Sequence, residues 1–164
     1  MTKENVRELF TVAQAQDDEA ILEFYRSLIG MHGCTWNMDY PGPEHVKMDI
    51  EKQNLFLVKD AMGIVATISV DSDDQVDSLP NWTQENAREA ARLGVREDMQ
   101  GQGIAREMLL CLMEELKKRG HEAIHFLVSP DNPAALASYQ KLEFNNRGEV
   151  FLYGHRWFCY EKMI

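Results

Sequence analysis

The sequence predicts a mixed α/β fold in a single domain, and three observations lead to this prediction. Stretches rich in β-branched and aromatic residues alternate with stretches of helical periodicity, so strands both precede and follow helices. The 164 residues are the length of one ordinary domain, and 10 glycines, 5 prolines and a 45% hydrophobic share exclude collagen-like and disordered chains. No repeat or low-complexity linker divides the chain.

The elements of the first half follow from start signals, stop signals and periodicity. Val6 to Phe10 is predicted as a short strand. Asp17–Glu19 supplies an acidic cap and first turn to a helix with apolar residues at helical spacing, and Gly30 ends that helix. Pro43 opens a second short helix that runs to about Glu51. Two β-rich runs at residues 55–58 and 64–70 then flank a hairpin turn. A polar loop follows at residues 71–86.

The second half alternates strands and helices more strictly. A strand at 87–95 is expected to place two sets of residues on opposite faces: Glu89, Ala91, Leu93 and Val95 on one, Arg88 and Arg92 on the other. A strong amphipathic helix runs from Ile104 to Arg119, and Gly120 closes it. Three elements complete the chain. They are a buried strand at residues 123–128, a helix that starts at a proline at 133–141 and a final strand at 152–163.

The charge is concentrated in the first half. Residues 1–86 hold 16 acids and 6 bases, whereas residues 87–164 hold 11 of each, and the total is −10. This balance argues against nucleic acid and anionic membranes as partners, and it favours a cation near the first half and an anion near the second. The longest strictly apolar run, Met108–Met113, is too short to span a membrane, and we expect no secretory signal. Three widely spaced cysteines fit a reducing cytoplasm.

A glycine-rich turn is the first functional motif. Gln100-Gly101-Gln102-Gly103-Ile104-Ala105 joins a predicted strand to a predicted helix, and a helix N-terminus offers unpaired N–H donors to a phosphate. It is not a dinucleotide fingerprint, because Arg106 stands where a third glycine is needed, and it lacks the Gly-Lys-Ser/Thr of a P-loop. A tight turn without a ligand remains an equal alternative at this point.

A second block makes the turn specific. Downstream of it lies Asn132-x-x-Ala135-x-x-x-Tyr139-x-Lys141-x-Glu143-Phe144, and the two blocks in this order resemble the GNAT superfamily of acetyl-CoA-dependent N-acetyltransferases. The motif correspondence covers about residues 87–144, with Glu143 where the family usually has glycine. The resemblance implies a single-domain, mostly antiparallel central sheet flanked by about four helices. It also implies three parts: an acceptor-side half at 1–86, an acetyl-CoA-binding core at 87–144 and C-terminal strands at 145–164.

The resemblance also implies roles for particular residues. Glu89 would be the base and Tyr139 the general acid. The Val95 N–H would polarise the thioester carbonyl. The residues expected to hold acetyl-CoA are Leu93, Gly94, Val95, Gln100, Gly101, Gln102, Gly103, Ile104, Ala105, Arg106 and Asn132. Ordinary structural roles stay open: a solvated carboxylate or ion-pair partner for Glu89, an apolar helix face for Tyr139 and an N-cap for Asn132. No metal is expected, because the five histidines lack ligand spacing.

The implied function is transfer of the acetyl group of acetyl-CoA to a primary amine by direct attack in a ternary complex. A non-catalytic acyl-CoA-binding sensor on the same fold is the alternative, and nucleic-acid binding ranks third. The acceptor, a small molecule or a protein amine, is expected to be cationic. Five carboxylates and Trp82 precede the strand of Glu89: Asp71, Asp73, Asp74, Asp77 and Glu85. An acidic loop that serves only solubility explains these residues nearly as well. The sequence does not determine whether the protein forms a homodimer.

Overall fold

The chain forms six α-helices and a seven-stranded mixed sheet, as the alternating signals predict. The computed structural model describes residues 1–164. In chain order the elements are α1 (Lys3–Leu9), β1 (Thr11–Val12), α2 (Asp18–Ser27), α3 (Pro43–Glu51), β2 (Leu55–Asp60), β3 (Gly63–Asp71), α4 (Asp74–Asp77), β4 (Ala87–Val95), α5 (Ile104–Lys118), β5 (Ala123–Val128), α6 (Pro133–Lys141), β6 (Asn145–Leu152) and β7 (His155–Met163). Single 3₁₀ turns lie at Ala15–Asp17 and Glu97–Met99.

The sheet has the strand order β1-β2-β3-β4-β5-β7-β6. The pairs β1–β2, β2–β3, β5–β7 and β6–β7 are antiparallel, and the pair β4–β5 is parallel. This confirms the predicted α/β class with a mixed, mostly antiparallel sheet. The helices number six rather than about four, because the sequence analysis did not predict the short helices α1 and α4.

Two compact units can be distinguished, each built from two stretches of chain. The first unit comprises Met1–Val70 and Ala91–Leu112, and the second comprises Asp71–Ala90 and Met113–Ile164. In the core of the first unit, apolar side chains at helical spacing on α2 pack with alternating residues of β2. The buried residues of this core are Ala13, Ile21, Phe24, Tyr25, Leu28, Val46, Leu55, Leu57 and Ile64. In the second unit β5 is buried on both faces, as its continuous apolar run predicts.

The prediction of a strand at Val6 to Phe10 is wrong. Residues 3–9 are helical, and only Thr11–Val12 joins the sheet. The helix begins because the Thr2 hydroxyl accepts from the Asn5 N–H at 3.1 Å while the Asn5 side chain accepts from the Thr2 N–H at 2.9 Å. This reciprocal cap satisfies two N–H groups that otherwise have no partner. Val6 is buried on the inner face of the helix.

The C-terminal segment is a hairpin rather than one strand at 152–163. Strands β6 and β7 meet at Leu152 and His155, and the turn residues Tyr153 and Gly154 both have positive φ, 54° and 77°. Two left-handed residues make the turn that matches the twist of paired strands. Asn or Asp usually fills the first of these positions, so a tyrosine there gives a weak turn signal.

Strand β4 does not keep the two-residue alternation that the sequence predicts. Arg92 has φ +51°, a left-handed value inside an extended strand. Its guanidinium is buried and bonded to both carboxylate oxygens of Asp49, at 2.9 and 3.0 Å. Arg88, expected on the same face, is exposed. A left-handed residue interrupts the regular alternation of an extended strand, so the spacing of Arg88 and Arg92 alone does not fix their surroundings.

A buried carboxylate ties β7 to the loop before β4. Glu161 is 1% exposed and accepts from the Thr83 N–H at 2.9 Å, the Gln84 N–H at 3.2 Å and Arg147 Nε at 3.1 Å. Burial by itself would raise the pKa of Glu161, but these hydrogen bonds overcome it and hold the pKa below its ordinary value. Glu161 is therefore a carboxylate at neutral pH.

Replacing Glu161 with Gln should lower the free energy of unfolding at neutral pH by on the order of 1–3 kcal/mol, because a charged acceptor of several donors is lost. A carboxyl with a lowered folded pKa stabilises the fold above its unfolded pKa and loses this effect as the pH falls through the folded one. The difference in free energy of unfolding between wild type and variant, measured in urea, should therefore shrink as the pH falls below 4.5, the ordinary pKa of a glutamate. The control is Glu149→Gln on β6, an exposed carboxylate bonded to Arg156 at 2.7 Å, which should change stability little. Equal losses in the two variants would contradict the account.

Candidate active site

The glycine-rich turn leads into the longest helix of the chain. Gly101 and Gly103 have φ of +77° and +80°, and no atom lies within 4 Å of where a Cβ would be on either. The first helical bond of α5 runs from the Glu107 N–H to the Gly103 carbonyl at 3.1 Å. Since Gly103 has no side chain, it cannot cap the N–H groups of Ile104, Ala105 and Arg106. The first N–H groups of α5 can therefore donate hydrogen bonds to an acceptor that is not part of the helix.

The polar side chains around this turn have different surroundings. Gln100 Nε2 donates to the Val95 carbonyl at 2.9 Å, so this side chain ties the turn to the end of β4. Gln102 Nε2 donates to the Asp98 carbonyl at 3.4 Å. Arg106 Nε is buried and has no hydrogen-bond partner within the protein. An unpaired donor in the first turn of α5 fits an anionic ligand.

Gly94 is packed tightly against the protein itself. A Cβ on Gly94 would lie 2.7 Å from Leu28 Cδ1 and 3.2 Å from carbon atoms of Phe24 and Trp36. Gly94 is among the residues expected from the sequence to hold acetyl-CoA, where a missing side chain would let the ligand approach closely. The structure supplies a different reason, because close packing of α2 and the following loop leaves no room for a side chain here.

Glu89 is buried on the first half of β4. It is 8% exposed, so the interpretation as an ordinary solvated carboxylate does not hold. Its charge acts on the hydroxyl of Tyr153, which donates a hydrogen bond to Asp73 in the same unit. Burial raises the pKa of Tyr153, and the negative charges of Asp73, Glu89 and Asp71 raise it further. This part of the second unit therefore has a strongly negative field.

Tyr139 lies in a cluster of aromatic rings in the second unit. Its ring centroid is 4.8 Å from that of Phe126 and 6.1 Å from those of Phe144 and Tyr160. Burial raises the pKa of Tyr139 to about 12. The ring of Tyr139 is therefore packed as expected of a residue on an apolar helix face, and its phenol stays protonated at neutral pH.

Helix α6 shows why its sequence block has that form. Asn132 is the N-cap, and its side chain accepts from the Ala135 N–H at 3.2 Å. Pro133 occupies the first helical position, where its missing N–H has no consequence. Past the other end, Glu143 has φ +64°, a value that glycine adopts freely. The backbone therefore keeps the conformation expected of a glycine at this position.

Sequence reasoning missed a histidine site in the second unit. His125 is 3% exposed, its ring stacks on that of Trp82 with centroids 4.2 Å apart, and its Nε2 lies 2.8 Å from Asp77 Oδ1. The indole Nε1 of Trp82 donates to the Val76 carbonyl at 2.7 Å. One face of Trp82 is therefore occupied by the histidine. A polar residue inside an otherwise apolar strand was the available signal.

The structure shows contacts of some predicted residues inside each unit. In the first unit, the Gln100 side chain joins the turn to Val95. In the second unit, the charges of Glu89 and Asp73 both act on the hydroxyl of Tyr153. No group of three or more His, Cys, Asp or Glu side chains is arranged to hold a metal ion. No helix is both long and apolar enough to cross a membrane.

Comparison with known proteins identifies the family of this chain. The model of the acetyltransferase (GNAT) family matches residues 21–144. A protein named acetyltransferase from Pectobacterium atrosepticum is 33% identical over 135 residues, which cover 79% of this chain and 82% of that one. Another so named, from Sodalis glossinidius, is 33% identical over 115 residues, 67% of this chain and 74% of the relative.

Solved structures show the same fold at lower identity. The ribosomal-protein-alanine N-acetyltransferase from Brucella melitensis has a TM-score of 0.74 at 19% identity, covering 95% of this chain and 99% of that one. A GNAT acetyltransferase from Streptococcus pneumoniae has a TM-score of 0.75 at 17% identity, with 95% and 98% covered. These findings confirm the resemblance and the enzyme class that it implies. The chain belongs to the GNAT family of acetyltransferases.

Proposed function

We propose that this protein transfers the acetyl group of acetyl-CoA to a primary amine, by direct attack of the amine on the thioester in a ternary complex. One observation carries the proposal: a single strand, β4, holds the buried carboxylate of Glu89 and leads into the glycine turn at the start of α5. A base and an anion-binding turn are the two features that this reaction requires of the protein.

The residues of the turn fit the phosphates of acetyl-CoA. Gly101 and Gly103 leave open space on the side where a Cβ would project, and the first N–H groups of α5 have no intrahelical acceptor. The unpartnered Arg106 Nε adds a charged donor to the same turn. Gln100 holds this turn against β4 and would act through position rather than through direct contact. Acetyl-CoA supplies the activated acyl group and a thiolate leaving group when bound.

The end of β4 is suited to polarise the thioester carbonyl. The Arg96 N–H donates to the Val65 carbonyl of β3 at 2.8 Å. Since successive N–H groups of an extended chain point to opposite edges, the Val95 N–H is directed away from β3. We assign to it the hydrogen bond that stabilises the oxyanion. Leu93 and Gly94 would line the arm that carries the thioester, and Asn132 would contact that arm while it caps α6.

Glu89 would take a proton from the acceptor, directly or through water. An alkylammonium with a pKa near 10.4 is only about one part in 2,500 neutral at pH 7, so a base greatly increases the supply of free amine. Neutral amine then attacks the acetyl carbonyl and a C–N bond forms. As the tetrahedral intermediate collapses, the C–S bond breaks, the nitrogen loses a second proton and the departing thiolate takes one up, so the products are amide, thiol and one released proton. The protein here needs to hold and move only protons.

Tyr139 would stabilise the departing thiolate. With a pKa of about 12 its phenol is always a donor. Full transfer of its proton to a thiolate whose acid has a pKa near 8.5 is uphill by about 5 kcal/mol, so a hydrogen bond to the forming charge is the larger part of its role.

Replacing Tyr139 with Phe should lower kcat roughly 10²–10³-fold with little change in the KM for acetyl-CoA, because the ring and its packing are kept. A thioester with a more acidic thiol should recover part of the loss, since its thiolate needs less stabilisation. The matched control is Tyr160→Phe in the same aromatic cluster, which should keep the wild-type rate. A loss that does not depend on the leaving group would contradict this role.

The acceptor that suits this protein best is a cationic amine, such as a polyamine, an aminoglycoside or a basic protein N-terminus. The loop 71–86 carries five carboxylates, of which Asp74, Asp77 and Glu85 are exposed. Asp73 and Asp77 are engaged with Tyr153 and His125, and a face of Trp82 is covered, so its cation–π role is not part of the proposal. Two structurally similar proteins, from Escherichia coli and Brucella melitensis, are ribosomal-protein alanine N-acetyltransferases, which supports protein N-termini as candidates.

For the best acceptor, kcat/KM should fall steadily as salt is added, because the Debye length shortens from about 10 Å at 0.1 M to about 3 Å at 1 M. The double variant Asp74→Asn, Glu85→Gln should have a lower kcat/KM at low salt and a flatter salt response. A flat response in wild type, or a best acceptor that is neutral or anionic, would contradict the cationic assignment.

The test of the whole proposal is a thiol-release assay with acetyl-CoA against amines, polyamines, amino acids, aminoglycosides and basic peptides. Amine-dependent release supports an N-acetyltransferase. Binding of acetyl-CoA by calorimetry without release for any acceptor would instead favour the acyl-CoA sensor. Cys34, Cys111 and Cys159 form no disulfide with one another, and we place the reaction in the reducing cytoplasm.

A further inference from the structure

A buried ion pair joins α3 to β4 in the first unit. Arg92 donates from Nε to one carboxylate oxygen of Asp49 at 2.9 Å and from Nη2 to the other at 3.0 Å. The two residues are only 5% and 4% exposed. A buried pair of this kind adds little to stability, because the loss of hydration offsets most of the attraction and apolar residues of similar volume often serve as well. This ion pair therefore needs an explanation other than stability.

The backbone of Arg92 is also unusual. Its φ of +51° lies in the left-handed region, where the Cβ of any residue but glycine is crowded, so the surroundings must hold an arginine there. Besides the ion pair, Arg92 Nη1 donates to the Tyr40 hydroxyl at 3.2 Å. The hydroxyl of Thr67 on β3 donates to the Arg92 carbonyl at 3.3 Å. Residues held in such conformations concentrate at functional sites, where the strain serves to place other groups.

What Arg92 controls lies at the end of the same strand. Since its φ departs from that of an extended chain, the orientation of the peptide groups that follow depends on the conformation of Arg92. Gly94 holds the strand at a second point, because it packs so closely that a Cβ on it would lie 2.7 Å from Leu28 Cδ1. The next residue is Val95, whose N–H we assigned to the oxyanion. The direction of this N–H is therefore set by the contacts of Arg92 and Gly94.

We propose that Asp49 is a positioning residue for acetyl transfer, because its ion pair keeps Arg92 left-handed and so directs the Val95 N–H at the thioester carbonyl. Asp49 lies on the buried face of α3 with Val46, at a place where an apolar residue would be expected. It acts through Arg92 and takes no part in bond making or proton transfer. The inference rests on the proposed acetyl transfer.

The kinetic test replaces both charges at once, Asp49→Leu together with Arg92→Met, so that no buried charge is left without its partner. This double variant should unfold in urea with a free energy close to that of wild type. Without the ion pair, position 92 should return to an extended φ and kcat should fall by about tenfold or more. Complete removal of an oxyanion donor lowers kcat roughly 10²–10³-fold, which sets the upper end of the expected loss. The KM for acetyl-CoA should change little, since the glycine turn is intact. A wild-type kcat in the folded double variant would overturn the proposal.

A single substitution and a matched control separate position from stability. Thr67→Val keeps the shape of the side chain but removes the hydrogen bond to the Arg92 carbonyl, so it should lower kcat in the same direction by a smaller factor. The control is Asp17→Asn in the same unit, where a carboxylate that is also buried, at 7% exposure, pairs with Lys59. It should lose stability and keep the wild-type kcat. If kcat falls in proportion to stability in all three variants, Asp49 supports only the fold. If the double variant does not fold, a wild-type kcat in Thr67→Val overturns the proposal.

A second measurement needs no acceptor. Acetyl-CoA labelled with ¹³C at the thioester carbonyl is bound to the protein, and the infrared stretch of that carbonyl is recorded. A hydrogen bond lowers this frequency, so the double variant should show a higher frequency than wild type, and Asp17→Asn should match wild type. Equal frequencies in wild type and double variant would overturn the proposal even if acetyl transfer is found. Absence of acetyl transfer in wild type would instead refute the proposed function, and the frequencies would still decide whether Asp49 positions the N–H.

Discussion

Replacing Glu89 with Gln should lower kcat for acetyl transfer roughly 10²–10⁴-fold while acetyl-CoA binds as in wild type. The amide has nearly the shape of the carboxylate but cannot take a proton from the acceptor. The deficit should narrow as the pH rises toward the pKa of the amine near 10.4, since free amine then forms without help. The ratio of wild-type to variant kcat/KM, measured from about pH 7 to about pH 9.5, reports this directly.

The control is Glu85→Gln, an exposed carboxylate shortly before the same strand. It should keep a wild-type kcat at high salt, because its only contribution is to the field that attracts the acceptor. A ratio for Glu89→Gln that stays constant with pH would mean that Glu89 supports the fold or the binding of substrate rather than deprotonation. Wild-type kinetics in the variant would remove it from the mechanism.

Replacing Gly103 with Leu should weaken acetyl-CoA binding by tenfold or more, about 1.4 kcal/mol, because the side chain would project into the open space next to the first N–H groups of α5. The substitution also strains the backbone. A side chain at φ +80° destabilises the fold by roughly 1–2 kcal/mol wherever it stands. Binding must therefore be separated from stability.

Gly120, just past the other end of α5, provides that separation. It has φ +90° and, like Gly103, no atom within 4 Å of where its Cβ would be. Gly120→Leu should lose a similar amount of stability in urea unfolding and keep its affinity for acetyl-CoA in calorimetry. Equal affinities in the two variants would refute the assignment of acetyl-CoA to the glycine turn.

Local sequence signals predict most of the fold. The buried run of β5 and the proline-started α6 are confirmed at both ends, because each has a strong start or stop signal and one clear period. The failures are also local in origin. Helix α1 depends on the reciprocal cap of Thr2 and Asn5, and the C-terminal hairpin depends on a tyrosine in a left-handed turn position. The residues at these two positions have only weak intrinsic preferences for a helix start or for a left-handed turn, so the sequence gives little signal for either element.

The site was predictable only where it is carried by contiguous motifs. The glycine turn and the Asn132 block can be identified from the sequence. The pairs that set charge and shape join residues far apart: Arg92 with Asp49 over 43 positions, His125 with Asp77 over 48 and Tyr153 with Asp73 over 80. Their contacts depend on strand order and register, and a single sequence contains no direct signal for either.

The most direct measurement is to follow a labelled acetyl group from acetyl-CoA in the presence of a cationic amine. Direct attack in a ternary complex predicts label on the amine nitrogen, one free thiol for each acetyl transferred and no label on the protein at any time. Release of thiol with label retained on a protein side chain would contradict direct attack. Tight acetyl-CoA binding with label that never leaves the thioester, whatever the amine, would contradict the assignment as an N-acetyltransferase.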